Sequence, residues 1–125
     1  MAARTPEECD RLFAQYVNVG NLEALVGLYE PRATFVPQEG VPVTGTTRIR
    51  EALAGFAAMK PALTMNIKKV VVAGDDLAVL YNDWTMSATG PDGTAISGSG
   101  KATEIVRRQS DGTWRFVVDD PFGRG

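Results

Sequence analysis

Residues 16–33, YVNVGNLEALVGLYEPRA, decide how this chain is read. Apolar residues recur at helical spacing on both sides of Asn18-Val19-Gly20-Asn21, which predicts two short helices with a break between them. Gly20 tolerates the left-handed backbone that ends a helix, and Asn21 offers a side-chain oxygen to cap the next one. Just upstream, Thr5-Pro6-Glu7-Glu8 has the grammar of a helix start: a capping hydroxyl, proline in the first turn, then two acids at the positive end of the dipole. The first helix presents Leu12, Phe13, Tyr16 and Val17 on one face. The second presents Leu22, Leu25, Val26, Leu28 and Tyr29, and Pro31 is expected to stop it.

Downstream, residues 33–36 predict a short strand, and the proline- and glycine-rich 37–43 a loop or small hairpin. Gly45-Thr46-Thr47 leads into a third helix, with Ile49, Leu53, Phe56 and Ala57 inward, ending before Pro61. From Leu63 the hydrophobic period changes to two. Strands are expected over 63–72, 77–89, 94–108 and 114–119, separated by Gly74-Asp75-Asp76, Gly90-Pro91-Asp92-Gly93 and Ser110-Asp111-Gly112. Long strands joined by tight turns predict an antiparallel meander. Helices first and meander last suggest an α+β fold in which a curved sheet and its helices enclose a cone-shaped pocket. Gly98-Ser99-Gly100 falls inside a strand, where a bulge or tight bend is expected.

Bulk composition narrows the chemistry. The 125 residues fit one domain, with 44% hydrophobic and 22% charged residues as in ordinary globules. A net charge of -2 with scattered cations gives no reason to expect nucleic acid or an anionic membrane as partner. There is no histidine, which excludes Ser-His-Asp and Cys-His catalysis and histidine metal ligands. The single cysteine, Cys9, excludes an intrachain disulfide and any cysteine-based zinc site. Acid–base work therefore falls to Asp, Glu, Tyr or Lys, and neither a metal nor another cofactor is expected. The first residues lack the apolar core of a secretion signal, so a cytoplasmic setting is expected.

Residues 77–86 are apolar on both alternations, with Leu77, Val79 and Tyr81 on one side and Ala78, Leu80, Trp84 and Met86 on the other. A sheet with one wet face should alternate cleanly. Three helices cover one face only, so a homodimer through the outer sheet face is expected, with Trp84 in it.

The order of elements, together with VGNLEALVGLYEPRATFVP, GTTRIREALAGF and DGTWRFVVDDPFG, resembles the nuclear transport factor two-like superfamily, and more narrowly the SnoaL-like and ketosteroid-isomerase-like bacterial proteins. The resemblance covers about residues 7–123 of a single SnoaL-like domain spanning 1–125. It implies a cystatin-like α+β barrel: a cone-shaped curved antiparallel sheet with three N-terminal helices on its concave face. For function it implies a range, from isomerases, polyketide cyclases, dehydratases and epoxide hydrolases to non-catalytic assembly domains. In the isomerase branch the oxyanion-hole tyrosine falls on Phe13, with Tyr16 one turn later. The general-base aspartate falls on Pro37, and the protonated pocket acid on Glu104 or, with a one-residue slip, on Thr103. With Phe13 and Pro37 unable to move a proton, the steroid-isomerase mechanism is not expected. In the association-domain branch, pocket arginines that bind an anion fall on Asp83 and Glu104, which reverses the polarity of the cavity.

Asp83, Glu104 and Asp119 lie on three successive strands, and Asp119 shares its alternation with Val117. Together with Tyr16 they are the candidate catalytic residues. Phe13, Tyr29, Phe35, Leu53, Phe56, Val106 and Val117 are the candidate ligand-binding residues. Carboxyls converging in an apolar funnel would be driven apart in pKa, leaving one to donate a proton and another to accept it. The expected partner is a small apolar molecule. The expectation is cofactor-free isomerase, cyclase, dehydratase or epoxide-hydrolase chemistry. The other reading is a ligand-binding or dimeric assembly domain without catalysis.

Overall fold

The computed structural model describes residues 2–124. Helix α1 (Pro6–Val19) begins where the Thr5 hydroxyl accepts the Glu8 amide at 3.3 Å and ends at Gly20, whose φ of 72° is left-handed. Helix α2 (Leu22–Val26) is capped by Asn21, whose side chain accepts the Ala24 amide at 3.1 Å. It stops well short of Pro31. Leu28 and Tyr29 are taken by the sheet instead: the Phe116 amide donates to Leu28 O at 2.7 Å, and Tyr29 opens strand β1 (Tyr29–Gln38). Pro31 is absorbed where the register of β1 shifts, between Tyr29 and Thr34, so its missing amide falls in an irregular stretch.

Strand β2 (Val41–Thr44) folds back on β1 as a hairpin, and helix α3 (Thr46–Ala58) follows. Four long strands complete the chain: β3 (Ala62–Ala73), β4 (Leu77–Thr89), β5 (Ala95–Arg108) and β6 (Trp114–Asp120). Their order in the six-stranded sheet is β2-β1-β6-β5-β4-β3. The β3–β6 meander is antiparallel as expected, whereas β1 pairs with β6 in parallel. The sheet curves without closing, leaving β2 and β3 as edges. No helix among the described residues is long and apolar enough to cross a membrane.

The core fills the concave side. Leu12, Phe13, Tyr16 and Val17 of α1 and Ile49 and Leu53 of α3 are buried there, with Leu80, Val106 and Phe116 from the sheet. Phe116 meets the edge of Phe13 at 6.2 Å between centroids and lies 5.0 Å from Tyr29. Burying such rings is the main favourable term in folding. Asn18 pins α1 to the sheet: its side chain donates to Leu63 O at 3.1 Å and accepts the Leu63 amide at 2.8 Å.

A bulge corrects one expected alternation. Val106 pairs with Phe116 but Ile105 pairs with Val118, so Val117 is the extra residue. Phe116 and Asp119 therefore both point inward, although they are an odd number of residues apart, and Val117 does not share Asp119's face. No bulge occurs at Gly98-Ser99-Gly100, where the β4–β5 register is continuous. Gly100 is instead a space-maker. A Cβ there would lie 2.7 Å from the Trp84 ring and 2.8 Å from Pro121 O.

Candidate active site

Between the helices and the concave face lies a cavity of about 580 Å³. Phe13 of α1, Ala52 and Phe56 of α3, Phe35 of β1, Leu63 and Met65 of β3, and Trp84 and Met86 of β4 form its apolar wall. Pro121 and Phe122, just past β6, complete it. Trp84 is fixed by two contacts: its indole N–H donates to Pro121 O at 2.8 Å, and Phe122 meets it edge-on at 6.0 Å. Trp84 thus belongs to the cavity and not to the outer face, because Gly100 directly opposite leaves room for the ring on the concave side.

Two buried carboxyls reach this apolar space, besides the exposed Glu51 of α3. Glu104 on β5 and Asp119 on β6 are cross-strand partners, 1% and 3% exposed, and both line the cavity. The Tyr29 hydroxyl donates to Asp119 Oδ2 at 2.5 Å. A third acid, Asp10 of α1, sits behind Glu104 and outside the cavity wall, and its Oδ2 accepts from the Asn82 side-chain amide at 3.1 Å. Glu104 lies within hydrogen-bonding reach of both Asp10 and Asp119. No amide or alcohol donor reaches Glu104 Oε1, Asp10 Oδ1 or Asn82 Oδ1 among the described residues. Among the described residues, no Lys or Arg lines the cavity.

Three buried acids without a cation cannot all ionise. Burial, then the charges of Asp10 and Asp119, push Glu104 well above the ordinary carboxyl range. Burial likewise raises Asp119 to about 7, against the Tyr29 hydrogen bond that pulls it down. Asp10 is raised by burial too, opposed by its hydrogen bonds with Glu104 and Asn82 and by the Arg11 charge. Tyr29 is driven well above 10 by burial and by Asp119, so it remains a donor. Glu104 is thus the acid that holds its proton, and Asp119, steadied by the Tyr29 hydroxyl, the one that ionises more readily. A proton donor and a proton acceptor therefore share one apolar floor.

The expected trio is not assembled. Asp83 faces outward, where its carboxylate accepts from Arg124 at 2.9 Å and its side chain is 39% exposed. Asn82, fully buried, occupies the inward position that alternation assigned to Asp83. Tyr16 is buried in α1 but does not reach the cavity wall, and Leu53, Tyr29 and Val106 are packed behind it. Val117 is displaced by its bulge, while Phe13, Phe35 and Phe56 do line the cavity. Of the positions carried over by resemblance, Phe13 and Pro37 stand on the wall and Glu104 at the buried end. Thr103 faces away, against Gly123. No group of His, Cys, Asp and Glu among the described residues is arranged to hold a metal ion.

Asp10 and Asn82 escaped the sequence reading, yet each had a signal. Asp10 falls on the helical stripe of Phe13 and Val17, an acid where burial is expected. Asn82 alternates with Leu80 and Trp84.

Comparison with known proteins gives the same fold. A ketosteroid isomerase-like protein from Erwinia carotovora atroseptica superimposes with a TM-score of 0.80 at 14% identity, over 91% of this chain and 89% of that one. A protein from Streptomyces avermitilis described as a dehydratase of the NTF2-like family gives 0.75 at 16% identity, over 91% and 90%. A protein from Xanthomonas campestris described as a calcium/calmodulin dependent protein kinase II association domain gives 0.78 at 19% identity, over 92% and 84%. No curated protein gives a significant sequence match. The profile of the SnoaL-like domain fits residues 10–120, nearly the whole cone from α1 to the end of β6, and the chain belongs to that family.

Proposed function

We propose that this protein is an enzyme of the isomerase, cyclase, dehydratase or epoxide-hydrolase type, performing acid–base chemistry without a cofactor on a small apolar molecule held in the cavity. The observation that carries this reading is the pairing of Glu104 and Asp119 at the buried end of an apolar space whose described lining includes no Lys or Arg. Asp119 is the general base, oriented by the Tyr29 hydroxyl. Neutral Glu104 donates to substrate oxygen. In a dehydration, Asp119 takes the proton next to a carbonyl while Glu104 protonates the departing hydroxyl as water. Asp119 then carries the proton that Glu104 has lost, and because the two groups are within hydrogen-bonding reach it can pass straight back. An isomerisation uses the same two groups, with the proton returned to a different carbon. The relatives described as ketosteroid isomerase-like and as a dehydratase support this class of chemistry.

The test is proton exchange. Small apolar ketones such as 2-tetralone, incubated with the protein in deuterated buffer, should lose their α-protons faster than in buffer alone, read by NMR. Glu104→Gln and Asp119→Asn should each cut the enzymatic rate by roughly 100-fold or more, the usual scale of a lost general acid or base. Exchange that survives both substitutions would sink the assignment.

A second reading concerns assembly. Val71, Val79, Tyr81, Ile105 and Val118 share the outer face of the sheet, by their register with one another. That apolar content supports a homodimer through this face, and the relative described as an association domain supports an assembly role. Light scattering at micromolar concentration tests it, with a monomeric mass as the contrary result. A cytoplasmic setting is in keeping with Cys9, a free thiol buried in α1.

A further inference from the structure

The same cavity carries information about what enters it, and this inference rests on the site proposed above. Its charged lining residues are Glu51, Glu104 and Asp119, all acidic. Five aromatic rings line the wall, Phe13, Phe35, Phe56, Trp84 and Phe122, and aromatic rings attract a positive group over their faces. Glu104, buried to 99%, has an oxygen, Oε1, with no amide or alcohol donor. Ordinarily a buried ion pair gains little, because both partners lose water. Here Glu104 and Asp119 are already buried by the protein itself, at 1% and 3% exposure. Only the incoming group has still to be desolvated, and it meets two acceptors that lack a cation.

We infer that the cavity takes a ligand with an apolar body and one protonated amine at its head, seated against Glu104 and Asp119. An anionic head would meet acids alone, and a neutral hydroxyl would answer the missing donor while leaving the charge uncompensated.

Proton balance makes the idea measurable. The ammonium head keeps its proton, the neutral Glu104 carboxyl becomes a carboxylate, and the displaced proton goes to buffer. Affinity for the amine should therefore rise with pH between pH 6 and 8, because binding releases a proton. The groups that face Glu104 are Asp10 from α1, Asp119 from β6, the uncharged Asn82 from β4 and Tyr29 from β1. Glu51 of α3 faces the same cavity, and Arg11 acts on Asp10. Tyr29, Asp10 and Glu51 are neutral or anionic in either protonation state, so none of them supplies an opposing cation.

The experiment is titration calorimetry on the full chain with three matched probes, 2-naphthylmethylamine, 2-naphthylmethanol and 2-naphthoate. It is run at pH 6, 7 and 8 in buffers of low and high ionisation heat. The amine should bind at least tenfold more tightly than the alcohol at pH 7.5, with naphthoate weakest, and its apparent heat should change with the ionisation heat of the buffer. Glu104→Gln should bring the amine-to-alcohol ratio close to one. Should that variant not fold, Asp119→Asn and the pH slope of the unaltered protein carry the same decision. An alcohol or naphthoate that binds as tightly as the amine overturns the inference, as does an amine affinity flat across pH. So does the failure of all three to bind. If ketone exchange depends on Glu104 while the amine preference is missing, the acid–base reading stands and only the ligand class falls. If the amine preference appears without any exchange, the reverse holds.

Discussion

The two faces of the β4–β5 pair hold carboxylates under opposite conditions. On the outer face Asp83 meets Arg124, which also lies 5.6 Å from the centre of the Tyr81 ring and donates to the carbonyls of Asn82 and Ala102. On the inner face, one residue out of phase, Glu104 and Asp119 have neighbours of their own sign and no cation. The same functional group is an ordinary surface partner on one side and a shifted acid on the other. Side-chain alternation along a strand, with a period of two, is the whole difference. Chemistry here is assigned by face before it is assigned by residue type.

That contrast can be broken or sharpened by experiment. The largest effect should come from the inner core: Phe116→Ala removes a fully buried ring and should cost about 3–5 kcal/mol by urea unfolding, whereas Val71→Ala, on the outer face at 41% exposure, should stay within about 0.5 kcal/mol. Equal losses at both sites would mean that the outer face is buried in solution. Next, Gly100→Ala drives a methyl into the Trp84 ring and should cost about 1–3 kcal/mol, with a change in Trp84 emission. Emission and stability like those of the unaltered chain would show that Trp84 is not held as described.

Stability against pH comes third. Asp119 and Glu104 bind protons more tightly folded than unfolded, so they favour the folded state fully below the ordinary carboxyl range. That contribution is lost as pH rises from near 4 through about 7 for Asp119, and further up for Glu104. Stability should fall by about 1 kcal/mol per pH unit across this window for each group in play. Glu104→Gln should flatten the profile, and a stability that climbs from pH 5 to 8 would contradict the burial of unpaired acids. The smallest effect belongs to the outer pair: Asp83→Asn should cost less than about 1 kcal/mol and leave the pH profile unchanged, because the pair is open to solvent.

Much of the architecture was legible because turns and period-two runs are local signals. Strand 77–89 was read to the residue, and the other three long strands to within a residue at each end. What local signals could not carry were the events that depend on a partner strand. The bulge at Val117 exists only in the pairing of β5 with β6, and it alone turns Asp119 inward beside Phe116. The fate of Tyr29 depends on β6, which lies far along the chain and draws the residue out of a helical pattern. For the site, Glu104 could be read from its mid-strand place among apolar neighbours. Choosing Asp83 over Asn82 failed for a different reason. Both alternations of β4 are apolar, and what places Trp84 inward is the missing side chain at Gly100 on the next strand.

The position of β6 between β1 and β5 has a consequence for biosynthesis. The hairpin of β1 and β2 joins the rest of the sheet only through this last strand, and Ala3 also bridges to its first residue, Trp114. While the chain is still emerging from the ribosome, the greasy side of α1 has no completed wall to rest on. Closure waits for β6, so a nascent chain stalled before Trp114 would be a client for chaperones.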